Sequence, residues 1–136
     1  MGVIAIALNG VVIYSNQAAP GDDIFNEVFT FDQCTGHPVP SGQYHYHLEP
    51  PAISVESSAL IGFMRDGFPI YGIKDADGST PTLDSAGGHT GTTVDSPSSS
   101  VYHYHAATQT DGTNSGYFIS TGYYKGTKGA CSTGCN

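Results

Sequence analysis

Tyr44-His45-Tyr46-His47 recurs, identical, as Tyr102-His103-Tyr104-His105. Two further blocks recur in the same order. Ala7-Leu8-Asn9-Gly10-Val11-Val12-Ile13-Tyr14 aligns with Met64-Arg65-Asp66-Gly67-Phe68-Pro69-Ile70-Tyr71. Phe31-Asp32-Gln33-Cys34-Thr35-Gly36-His37 aligns with Leu83-Asp84-Ser85-Ala86-Gly87-Gly88-His89. The offset changes only in the loops between blocks, which chance similarity would not achieve, so the chain is an internal duplication. Copy one runs over about residues 2–50, copy two over about 58–108, and a tail over 109–136, all within a single domain 1–136. Two copies are too few for a solenoid. They predict an all-β fold, a compact sandwich or barrel with pseudo-two-fold symmetry.

Each copy carries the same local signals. Val3 to Leu8 and Val11 to Tyr14 are strand-like runs joined by Asn9-Gly10, a pairing that predicts a type I′ hairpin turn, and Asp66-Gly67 repeats it. Val3 to Leu8 is apolar on both faces, as a central or covered strand would be. Pro69 lacks an amide proton, which predicts an edge strand or a bulge. Ile24 to Phe31 reads as a further strand, with Phe25, Phe29 and Phe31 in reach of a core. Asp75 to Ser100 and Thr108 to Gly116 read as long loops, and no amphipathic helix stands out.

Successive odd or even residues of a strand share a face. His45 and His47 therefore project together, as do His103 and His105. A His-x-His pair on a strand is a two-point chelate for Zn²⁺ or Cu²⁺, because neutral imidazole is a ligand of intermediate softness. His37 and His89 each follow a glycine after a turn and supply a third nitrogen. Asp32 and Asp84, upstream of those histidines, are candidates either to ligate or to orient a ligand imidazole. All six histidines of the chain fall in these two sets, and each candidate unit is Asp/His₃. The two triplets are read either as separate sites or as one paired site on the symmetry axis. Asp75-Ala76-Asp77-Gly78 resembles the start of a calcium loop, but Ala86 stands where the closing glutamate belongs, so it reads as a solvated acidic turn.

The duplicated Tyr-His-Tyr-His, the Phe-Asp-x-Cys-x-Gly-His before it and the Asp66-Gly67-Phe68-Pro69-Ile70-Tyr71-Gly72 stretch resemble the YHYH-domain family of secreted bacterial proteins over about residues 2–108. The resemblance implies fold and location more than activity. Copy two departs from the pattern at Ala86, which replaces Cys34. Leu48 to Val55 also lacks the cysteine that the resemblance implies shortly after the first motif.

Charged residues make up 12% of the chain, so surface polarity comes from Ser, Thr, Asn, Gln and Gly, as in many extracellular β proteins. The net charge is −8 with four cationic side chains. Such a surface cannot neutralise a run of phosphates and is repelled by anionic membranes, and no apolar run is long enough to span a bilayer. The expected location is extracellular or cell-surface, with any signal peptide absent from this sequence, since no basic residue precedes Arg65. Three cysteines allow one disulfide. Cys34–Cys131 is the expected pair, and Cys131–Cys135 is the alternative.

These features point to an extracellular structural or binding module that holds a transition metal, Zn or Cu rather than Ca, and that self-associates, as a fibre subunit would, by adding strand Val3 to Leu8 to a neighbour's sheet. The alternative is a metal-dependent enzyme, redox or hydrolytic, using open three-His sites. No Gly-x-Ser-x-Gly elbow or phosphate-binding loop offers another chemistry.

Overall fold

The structure is a computed structural model that describes residues 2–20, 22–119 and 123–129. Its strands are β1 Val3–Ala7, β2 Val12–Tyr14, β3 Gly36–Pro38, β4 Tyr44–Tyr46, β5 Leu60–Met64, β6 Pro69–Tyr71, β7 Gly88–Thr93, β8 Ser96–Thr110 and β9 Ser115–Ile119. They form one mixed sheet in the order β3-β4-β2-β1-β5-β6-β8-β7, with β9 added on β8. The sheet does not close, and the all-β, sandwich-like class read from the sequence holds.

The order is a palindrome of the duplication. β1 and β5, the same strand in the two copies, pair antiparallel at the centre, with Ala5 opposite Met64, Ile6 opposite Phe63 and Ala7 opposite Gly62. Ile6 and Phe63 are equivalent residues of the repeat and face each other, so the pseudo-two-fold axis passes between them. On either side the pattern repeats. β1 pairs β2 antiparallel and β2 pairs β4 parallel, while β5 pairs β6 antiparallel and β6 pairs β8 parallel.

The core is built from equivalent pairs. Ile4 and Ile61, Ile13 and Ile70, and Tyr46 and Tyr104 are buried together with Met64, Ala106 and Ile119. Each fully buried isoleucine contributes about 1.5–3 kcal/mol by leaving water. The tyrosines also tie the copies internally. Asn9 donates through Nδ2 to the Tyr46 hydroxyl at 3.0 Å, and the Tyr104 hydroxyl donates to Asp66 Oδ2 at 2.6 Å. Asn9 and Asp66 are the equivalent turn residues of the two hairpins. β9 links the copies a second time: Leu48 bridges Phe118, and the amide of Ile119 donates to the His47 carbonyl at 3.3 Å.

Several local expectations are corrected. The Asn9-Gly10 and Asp66-Gly67 hairpins are not type I′. The amide of Gly10 donates to Ala7 and that of Gly67 to Met64, and only the glycines take positive φ, 84° and 89°. A type I turn followed by a left-handed glycine, the three-residue hairpin, accounts for both. Pro69 is not on an edge strand, since β6 is flanked by β5 and β8. It is tolerated as the first residue of its strand, where a missing amide costs least. The register shift in this pair falls at Leu60/Gly62, away from Phe63, which faces Pro69.

Ile24 to Phe31 is not a strand. Asp23 caps a short helix, α1 Ile24–Glu27, by accepting from the amide of Phe25 at 3.0 Å, and a 3-10 turn Val28–Thr30 follows. Phe25 packs edge-on against Phe118 at 5.4 Å between centroids, while Phe29 is 79% exposed, so the apolar spacing did not mark one face of a strand. Of the two stretches expected as loops, much of 88–100 is the β7–β8 hairpin, and 108–116 takes in the end of β8 and the start of β9. Thr suits strands, and pairing with a neighbour supplies what the low hydrophobicity lacks.

β1 is paired on both sides within its own chain. Its backbone therefore has no free edge to add to a neighbour, which removes the specific route to self-association expected for Val3 to Leu8. Cys34 is half-buried against the core. Cys131 and Cys135, and with them both expected disulfides, lie outside the described residues.

Candidate metal centres

The sheet register brings the histidines together. In β3·β4, His37 stands directly opposite His45, and in β7·β8, His89 stands opposite His103. His47 and His105, two residues further along, share the face of His45 and His103. Three imidazoles thus meet in each copy. His45, His47, His103 and His105 are all at most 2% exposed.

In copy one, His45 Nε2 lies 3.0 Å from His37 Nε2 and 2.9 Å from His47 Nε2. In copy two, His89 Nε2 lies 3.1 Å from His103 Nε2 and 3.2 Å from His105 Nε2. Five of the other ring nitrogens face groups that accept. His47 Nδ1 meets the Ser15 carbonyl at 2.6 Å and His105 Nδ1 meets the Gly72 carbonyl at 2.6 Å, equivalent positions of the repeat. His103 Nδ1 meets the Val101 carbonyl at 2.9 Å, and His45 Nδ1 has a longer contact, 3.4 Å, with Gln43. His37 Nδ1 meets the Thr30 hydroxyl at 2.7 Å, whose own proton goes to the Glu27 carbonyl.

A carbonyl only accepts, so these partners place the protons on Nδ1 and leave the Nε2 lone pairs bare. Neutral lone pairs about 3 Å apart repel, and buried acceptors without donors cost roughly 1–3 kcal/mol each. A cation at their meeting point removes the conflict. Donors bonded to Zn²⁺ or Cu²⁺ at about 2.0–2.1 Å are separated by roughly 2.9–3.4 Å, which is the spacing found here. Carbonyls on the far ring nitrogen are also the usual means of orienting a ligand imidazole. The donor set therefore fits a transition metal in both copies.

A proton is a poor substitute. Burial pushes His45 and His47 down to about 4; the His47 and His37 rings add to the effect at His45, and the Ser15 carbonyl only partly offsets it at His47. His105 is lowered mainly by burial as well. The unfolded chain binds these protons near pH 6.5. Between about 6.5 and 4 it therefore holds more protons than the folded chain, and stability falls as the pH is lowered. Chelator-treated protein is expected to have its full thermal stability above about pH 6.5 and to lose it progressively down to about 4. A pH series of melting curves, with a flat profile as the contrary result, checks this. Proton competition at His45 and His47 is likewise displaced to about 4, below the pH near 6.5 that free imidazole suggests.

Asp32 and Asp84 are not in either cluster. Asp32 accepts from the Tyr44 hydroxyl at 2.8 and 2.9 Å and from the amides of Cys34 and Gly36 at 2.8 and 3.3 Å. Asp84 repeats this with Tyr102, Ala86 and Gly88. The Tyr44 hydroxyl, against a small burial effect, holds the Asp32 carboxyl below its ordinary value. At Asp84 burial works upward, but the two amides, Tyr102 and Lys125 outweigh it. Their role is to fix the turn that delivers His37 or His89, where Thr35 and Gly87 take left-handed φ of 67° and 88°.

The carboxylate that does reach a cluster is Asp75, from the stretch read as a solvated turn. Its Oδ1 lies 3.0 Å from His89 Nε2, 3.5 Å from His103 Nε2 and 3.4 Å from His105 Nε2. Copy two is thus Asp75/His89/His103/His105, and copy one is His37/His45/His47. Near the latter stands Glu27, with Oε2 3.8 Å from His37 Nε2 and 3.7 Å from His47 Nε2. No sequence signal singles out Glu27, because the helix that carries it was read as a strand. β2, β1, β5 and β6 lie between β4 and β8, so the centres are separate and not paired on the axis.

A family model described as YHYH protein matches residues 1–82. The match ends before the second Tyr-His-Tyr-His, short of the span to 108 read from the sequence. No curated protein and no solved structure matches the chain.

Proposed function

This chain belongs to the YHYH protein family, and from its duplicated histidine centres we propose that it is a binding module for two transition-metal ions, Zn or Cu. One observation carries the reading: in both copies three Nε2 atoms converge at about 3 Å while the Nδ1 atoms of the buried His47 and His105 face backbone carbonyls. Histidine and carboxylate donors suit these metals, whereas a calcium site needs six to eight oxygens, and neither cluster supplies them. An extracellular setting and self-association belong to the same proposal, supported by the sparse charge, 12% of residues.

Protein purified without chelator is expected to contain two equivalents of metal per chain by elemental analysis, one per cluster. A content near zero after reloading with Zn²⁺ or Cu²⁺ would remove the proposal.

A further inference from the structure

The two centres share three histidines and differ in their acid. In copy two, Asp75 Oδ1 approaches all three Nε2 atoms at 3.0–3.5 Å and completes a set of four donors. Four donors close a tetrahedral site of the structural kind. Tyr71 packs over His103 at 5.3 Å, as Tyr14 packs over His45 at 4.2 Å, and Thr93 and Val94 line the copy-two centre.

In copy one the fourth donor is missing. Glu27 comes from α1, not from the loop equivalent to that of Asp75, where copy one has Gln17 and Ala18. Its Oε1 accepts from the Ala19 amide at 3.3 Å, which holds the carboxylate back. Its Oε2 approaches His37 and His47 at 3.8 and 3.7 Å and is not part of the converging donor group. Three nitrogens with an acceptor standing off them are the arrangement of an open centre.

Resting on the metal reading above, we infer that the His37/His45/His47 centre takes one exogenous small ligand beside Glu27, whereas the Asp75 centre takes none. The ligand class follows from the two groups it meets. It offers a lone pair to the metal and a hydrogen-bond donor to Glu27 Oε2, as water, an alcohol or an amine does. A small anion also reaches the metal, but the same carboxylate weakens its binding.

The test uses the full chain loaded with Co²⁺, its metal content measured first, then titrated with azide and followed by visible absorption. Wild type is expected to bind one azide per chain. The His103→Ala/His105→Ala double variant should keep that equivalent, and the His45→Ala/His47→Ala double variant should lose it. Glu27→Gln, which removes the opposing charge, should bind azide about tenfold more tightly at unchanged stoichiometry. No azide in both wild type and Glu27→Gln, two azides in wild type, or an unchanged affinity in Glu27→Gln, overturns the inference and leaves the metal reading standing. Fewer than two cobalt ions per chain overturns the metal reading and this inference with it.

Discussion

The His45→Ala/His47→Ala double variant is expected to bind one metal ion where wild type binds two. The two side chains supply two of the three converging nitrogens of copy one, and a single remaining imidazole cannot hold the ion. The second centre should be untouched, because four strands separate it from the first and no donor is shared. The mirror variant, His103→Ala/His105→Ala, should lose the other ion and retain the first. Metal analysis together with dialysis against a graded chelator measures both. Unchanged content in either variant would show that the histidines do not ligate. Removal of both ions by one variant would show that the centres are coupled, against the geometry. Both variants should fold less stably, since each leaves a buried cavity where two rings stood.

The largest expected effect on stability is at Gly62. It lies on β5 opposite Ala7, at the pairing that joins the two copies. A Cβ placed there would overlap the carbonyl oxygen of Ile6 and stand 2.8 Å from Ala7 Cα and 2.9 Å from the Ile6 carbonyl carbon. These are backbone atoms of the neighbouring strand, which cannot rotate aside as a side chain would. Gly62→Ala must therefore push β1 away from β5, at a cost near the top of the roughly 1–3 kcal/mol typical of overpacked cores. Gly10→Ala is a useful contrast: nothing lies within 4 Å of its Cβ, and the strain there comes from its φ of 84° alone. Chemical denaturation should show a markedly lower midpoint for Gly62→Ala than for Gly10→Ala. Equal midpoints would contradict the central role of the β1·β5 pair.

The equivalent of Gly62 in copy one is Ala5, which carries a methyl group and is 2% exposed. The symmetry of the repeat is thus broken at its own axis. Ala5 faces Met64 and Gly62 faces Ala7, so the two equivalent pairs are filled by different volumes. Close packing at a pseudo-symmetric junction requires this kind of exchange only where the strands approach too closely for two side chains.

The sequence by itself determined the repeat, the all-β class, the hairpins at Asn9-Gly10 and Asp66-Gly67, and the pairing of His45 with His47 and of His103 with His105 on one face. These follow from local rules. Alternation along a strand has a period of two, and a glycine beside Asn or Asp marks a tight turn whatever surrounds it. The identity of the third histidine in each set was also legible, because the duplication repeats His37 as His89. The acids were not. Asp32 and Asp84 precede those histidines closely, yet a carboxylate satisfies itself with the nearest donors, here a tyrosine hydroxyl and two amides of its own turn. Asp75 and Glu27 reach the clusters only because distant segments fold back over them, and α1 exists only because Asp23 caps it and Phe25 finds Phe118. Tertiary structure likewise decided that β1 pairs with β5 of the other copy and that the centres lie apart. Local periodicity fixes which way a side chain points; which acid it meets depends on contacts between residues far apart in the chain, and no short-range pattern encodes them.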